Sequence, residues 1–147
     1  MGDTLVGKST VTFVWIASTK TAVEALKVFF EGHYEFMKEK SYKDGPLKLI
    51  HYSISESPEY EGMCLPWSPD KKGALEPGYV KFGKGEFPKT TGRTVFTLFE
   101  IYESEEGLHH HWIESAPWAD EFAELHNVHE IELQMFNQMK VIQSLWD

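Results

Sequence analysis

The chain is poor in cysteine, in long apolar runs and in bases to match its acids. Its single cysteine, Cys64, cannot close an internal disulfide, which fits a reducing compartment, and its neighbours Met63, Leu65 and Pro66 supply no base to make it a nucleophile. No stretch approaches the ~18 apolar residues of a membrane span, and the N-terminus lacks the basic and apolar regions of a signal peptide. Gly2 follows Met1, but Val6 stands where a myristoylation signal needs Ser or Thr. Against 23 Asp and Glu there are 14 Lys and Arg, a formal net charge of −9, and these bases form no stripe. Nucleic acid and anionic membrane surfaces, both bound through clustered cations, are therefore disfavoured as partners. Internal repeats and low-complexity tracts are also missing. The expectation is a cytoplasmic protein.

What the chain does have is enough apolar and aromatic residues, spread along 147 positions, for one domain with a real core. Two stretches, Thr10 to Ser18 and Thr94 to Tyr102, read as strands apolar on both faces. Val11, Phe13, Trp15 and Ala17 point one way and Val14 and Ile16 the other, while Val95, Phe99 and Ile101 oppose Phe96, Leu98 and Tyr102. An antiparallel sheet with one wet face would alternate apolar and polar residues, so both faces need a cover. Helices on one side and a second copy of the chain on the other predict a homodimer, packed through its sheet faces, with an enclosed cavity.

Thr21 and Glu24 suggest a capping box, and the stripe Val23, Leu26, Phe29, Phe30, His33, Phe36 and Met37 predicts a helix to about Lys40. A second strand is expected from Leu47 to about Ser55. The long segment 57–92 carries five prolines and six glycines among scattered aromatics, and reads either as a lid or as a self-packed surface excursion. A short hairpin around Tyr79 to Phe82 is one option within it. After the third strand, Ser104 with Glu105 and Glu106 starts a short helix, and Ser115 caps another with Pro117 in its first turn. Glu130 to Met135 alternates as a strand. Asn137 and Gln138 then suggest a turn into a further strand, Met139 to Leu145, with a helix capped by Asn137 as the alternative. This order is the ferredoxin-like split βαβ pattern: an α+β domain, an antiparallel sheet with helices on one face.

The run from Arg93 to Tyr102 with Glu100 near its end, then Glu105, Glu106, Gly107, Leu108 and His111, then Ser115, Pro117, Trp118 and Phe122, resembles the antibiotic biosynthesis monooxygenase family of dimeric α+β barrel proteins. The likeness is best over Thr94 to Phe122. It implies a dimeric α+β barrel and, by analogy with members that oxidise polycyclic phenols or quinols with dioxygen and neither metal nor flavin, a cofactor-independent monooxygenase. Other members degrade haem.

Of seven histidines, the run His109, His110 and His111 cannot converge on one point, because neighbours on a helix project ~100° apart. His111, three residues after Leu108, is the inward one. His33 lies on the apolar stripe, either as a satisfied core residue or, with His51, as a base aimed into the cavity to take a phenolic proton. The expected catalytic set is therefore His51, His111 and His33. Trp15, Tyr52, Phe99, Trp112 and Trp118 are candidates for the walls around a planar ligand, or ordinary core. Glu100, a carboxylate among Phe96, Leu98 and Tyr102, needs a partner such as Arg93 or a histidine, or a job, unless it is exposed at the strand end. A metal would require His111 to meet His51 or His33 and a carboxylate, and no zinc-type spacing is present, so neither metal nor other cofactor is expected. The substrate expected is a small apolar or aromatic molecule, phenol-like or quinol-like. The alternatives are a non-catalytic ligand-binding or stress-related protein, or a haem-binding one held through His111 or His51.

Overall fold

The computed structural model describes residues 4–60 and 89–145. Strand β1 (Ser9–Ala17) leads into helix α1 (Lys20–Lys40), strands β2 (Leu49–Tyr60) and β3 (Thr90–Tyr102), and helix α2 (Glu105–Ser115). A single 3-10 turn at Ala116–Trp118, helix α3 (Ala119–Val128) and strand β4 (Ile131–Lys140) complete the order. The sheet runs β2-β3-β1-β4, all neighbours antiparallel, which is the ferredoxin-like arrangement of an α+β chain. No helix among the described residues is long and apolar enough to cross a membrane.

Strand register sorts the residues into two faces. Trp15 pairs with Phe96, Phe13 with Leu98, Val11 with Glu100, and Tyr52 with Glu100, so these share one face. All three helices pack there: Leu26, Phe29 and Phe30 of α1 join Trp15, Phe96 and Leu98, Leu108 of α2 joins Val11 and Tyr102, and Phe122 and Leu125 of α3 close the side. On the opposite face stand Val14, Ile16, Val95, Phe99 and Ile101; they belong to neither helix-packed core cluster, and of them Ile16, Val95 and Ile101 are buried while Phe99 is exposed.

Several boundaries differ from expectation for local reasons. Thr19, not Thr21, caps α1, its hydroxyl accepting from the Ala22 amide at 3.0 Å. Ser104 caps α2 as its sequence suggests, accepting from Gly107 N at 3.1 Å. Ser115 caps nothing; its hydroxyl turns back to donate to the His111 carbonyl at 2.7 Å, and the chain continues through the 3-10 turn. β2 and β3 reach further than expected, to Tyr60 and from Thr90, which takes both ends of the 57–92 segment into the sheet. The hairpin suggested at Tyr79 to Phe82 lies outside the described residues, as does Cys64.

Asn137 and Gln138 do not turn the chain. They are two residues opposite Val11 alone, a β-bulge within a single strand β4, with Gln138 at φ 56°. A bulge uses the same left-handed backbone as a tight turn, which is why the two are hard to separate by residue type. Beyond β4 neither the expected strand nor the helix forms, although Val141 still exchanges backbone bonds with Gly7 and Lys8 at 2.9 and 3.1 Å.

Candidate functional site

Between the helical layer and the sheet lies a cavity of about 180 Å³. Val11, Phe13, Trp15 and Leu98 form its floor on the sheet, Phe29, Phe30 and His33 come from α1, and His111, Trp112, Trp118 and Phe122 from the α2 to α3 segment. Most of this lining is apolar or aromatic, and the rings interlock: Trp15 meets Phe30 edge-on at 5.0 Å, and Phe29 meets Trp118 at 5.8 Å. Trp118 reaches α1 because Gly32 has no side chain there; a Cβ on Gly32 would stand 3.0 Å from the indole.

The polar groups converge at one end. Glu100 is 2% exposed. Its Oε1 accepts from the Tyr102 hydroxyl at 3.3 Å, whereas its Oε2, also buried, has no hydrogen-bond partner among the described residues. Arg93, a partner considered from sequence, binds Glu59 through two bonds of 2.7 Å and also reaches Glu132. Burial without a cation nearby pushes the Glu100 carboxyl up to about 7, the Tyr102 bond offsetting only part of this. Exposure at the strand end is thus ruled out, and the carboxylate faces the cavity.

His33 and His111 stand beside it, their rings 5.9 Å apart, and one ligating atom from each of His33, Glu100 and His111 lies within 4.8 Å of the other two. The meeting that a metal site would require from sequence therefore occurs, with His33 and Glu100 as the partners of His111. Burial lowers both imidazoles to about 4, so both are neutral at pH 7; for His111 the neighbouring His33 and His110 add to the effect. Each has an outer support. His33 Nδ1 lies 3.0 Å from the Tyr52 hydroxyl, and the His111 ring stacks on Tyr102 with Ser115 Oγ at 3.3 Å. Tyr52 itself stands one layer behind the cavity, its own hydroxyl pushed upward by burial and by Glu100.

Two expected site residues are elsewhere. His51 pairs across from Ile101, one position out of phase with Tyr52, so the pleat carries it to the outer face, where it is exposed, bonds Ser53 Oγ at 2.8 Å and touches Phe99. Phe99 shares that face and lines no part of the cavity. His111 is the inward residue of the triple run: His109 is exposed and accepts from the Gln138 amide at 2.6 Å, and His110 packs against Tyr42. Tyr102 and His126 escaped the sequence reading as site-shaping groups. Trp15 donates its indole N–H to His126 Nε2 at 3.1 Å, and His126 Nδ1 donates in turn to the Phe122 carbonyl at 2.7 Å.

The chain matches no family model, no curated protein and no solved structure.

Proposed function

We propose that the chain is an oxygenase, of the kind its resemblance to antibiotic biosynthesis monooxygenases suggests, acting on a small phenol-like or quinol-like aromatic held in this cavity. The observation that carries the reading is the unpartnered Oε2 of Glu100, facing an aromatic-walled space with neutral imidazoles beside it. A phenolic hydroxyl placed there donates to that oxygen while its ring lies among Trp15, Phe29 and Trp118. Glu100 then replaces His51 as the proton acceptor, with His33 and His111 orienting the hydroxyl.

Removing the proton makes the ring electron-rich enough to reduce dioxygen, and apolar walls keep water from the anion. For a quinol the balance closes on substrate and O2 alone, giving a hydroxyquinone and water. One oxygen atom enters the ring as a new hydroxyl on the resulting quinone, and the other leaves as water with two of the quinol's hydrogens. The volume limits the substrate: about 180 Å³ lies little above the ~150 Å³ cavity that accepts benzene and below the roughly 300–1,000 Å³ of drug-sized sites. One or two rings fit within that space. We also read the outer sheet face, where Phe99, Phe136 and Met139 are exposed, as the seat of a second copy of the chain, and a reducing, cytoplasmic setting from its single cysteine.

Titration with 2-naphthol, followed by quenching of tryptophan fluorescence, and oxygen uptake with a one-ring or two-ring quinol test the reading. Saturable quenching with uptake that Glu100→Gln abolishes is expected. Saturable quenching without uptake in any variant would leave a ligand store in place of an enzyme, and absence of both would overturn the proposal.

A further inference from the structure

We infer that His33, Glu100 and His111 form a binding site for one divalent transition-metal ion. The inference goes beyond the oxygenase reading, which treats Glu100 as a base and needs no metal.

Three features of the molecule converge on it. The first is placement: α1, β3 and α2 each contribute one donor, two imidazoles and a carboxylate, and these atoms already lie within 4.8 Å of one another. Donors held ~2.1 Å from one ion stand about 3.0–3.5 Å apart in octahedral or tetrahedral geometry, so side-chain adjustments of roughly 1 Å close the site. The second is an unmet need. Glu100 Oε2 is buried with no donor among the described residues, and a cation supplies the partner that the fold omits. The third is the surrounding support. His33 Nδ1 faces the Tyr52 hydroxyl, Glu100 Oε1 accepts from Tyr102, and His111 has Ser115 beside its ring. Ligating groups held by outer hydrogen bonds in this way keep their orientation and tautomer when the metal arrives.

The donor set selects the ion. Two imidazoles with one carboxylate and no thiolate suit Fe(II), Co(II), Ni(II) or Zn(II) over the oxygen-seeking Mg(II) and Ca(II). Three protein ligands leave positions open, and the cavity is the space next to them. An ion there would bind the hydroxyl oxygen of a cavity ligand as a Lewis acid and stabilise the anion left when its proton leaves.

The test is titration of the chelator-treated, full-length protein with Co(II), read by calorimetry and by visible absorption. Binding of one ion per chain with ligand-field bands of a nitrogen and oxygen site is expected. His33→Ala, His111→Ala and the near-isosteric Glu100→Gln should each weaken it by more than about 100-fold, beyond the roughly 10–100-fold typical of losing an outer partner. His51→Ala, on the far face of the sheet, should leave it unchanged. Circular dichroism establishes that each variant is folded, and a rise in melting temperature with Zn(II) in the wild type only gives a second readout. No ligand-field bands, or an affinity unaltered in all three folded variants, would overturn the inference. The two proposals separate cleanly: naphthol binding without Co(II) binding defeats only the metal site, and Co(II) binding without naphthol binding supports it while defeating the oxygenase.

Discussion

Tyr102 and Glu100, two positions apart on the same face of β3, share one hydrogen bond of 3.3 Å to Oε1, while the carboxylate's second oxygen has no partner among the described residues. That asymmetry fixes how the site responds to pH. Burial raises Glu100 from 4.5 to about 7, so between those values the unfolded chain loses a proton that the folded one retains, and stability falls as pH rises through this window. At about 1.4 kcal/mol per tenfold the loss is on the order of 3 kcal/mol by pH 8. His33 and His111, lowered from 6.5 to about 4, act oppositely: their contribution is intact above 6.5 and lost as pH falls toward 4. Urea unfolding at pH 4.5 and pH 8 is expected to show Glu100→Gln gaining about 3 kcal/mol on the wild type between the two conditions. An equal difference at both pH values would refute the buried, proton-holding carboxyl.

A second prediction concerns the floor of the cavity. Trp15 is buried, and its indole N–H has His126 Nε2 as acceptor. His126→Ala removes the acceptor and leaves the donor unsatisfied, at a cost of about 1–3 kcal/mol. Trp15→Phe in the same background removes the donor as well, so the double variant should lose less than the sum of the two single ones. Denaturant midpoints of the four proteins measure this coupling, and strict additivity would mean that the bond contributes nothing.

How far the residues alone lead is visible in the same elements. The double-faced strands, the α1 stripe and the inward turn of His111 were legible because side-chain direction follows a period of 2 or 3.6, and Trp15, Glu100, Trp112 and Trp118 fell into the cavity on that basis. His51 was misplaced through a choice of phase. Its strand alternates clearly, but which face meets the helices depends on the pairing of Tyr52 with Glu100, a contact 48 residues away in sequence. The meeting of His33, Glu100 and His111 had no local spacing to announce it, since its members come from three separate elements. Asn137 and Gln138 misled for a different reason, the shared backbone chemistry of turns and bulges.

Gly32 gives a prediction in which stability and binding part company. Alanine inside α1 gains about 1 kcal/mol of helix propensity over glycine. Its Cβ, however, would stand 3.0 Å from the Trp118 ring, which must tilt away. Gly32→Ala should therefore melt within a few degrees of the wild type yet bind 2-naphthol about tenfold more weakly, because the displaced indole is a wall of the cavity. Unchanged naphthol affinity would show that Trp118 does not shape the ligand's space.

The outer face of the sheet supplies the last prediction. Phe99 is 37% exposed, and Phe136 and Met139 on the flanking edge strand are 45% and 49% exposed on the same face, whereas Ile16, Val95 and Ile101 beside them are buried. Exposed apolar side chains grouped on one face mark a surface that a partner can cover. A second copy, turning the same face inward about a two-fold axis, would bury both sets at once without any further element. Light scattering on the purified protein is then expected to give about twice the chain mass of 17.0 kDa. Phe99→Lys, which sets a charge in the middle of that surface, should shift the protein toward single chains while the melting profile still reports a folded state. The helices, on the opposite side, do not touch position 99, so a monomeric wild type, or a Phe99→Lys variant that remains dimeric, would remove the sheet face as the contact.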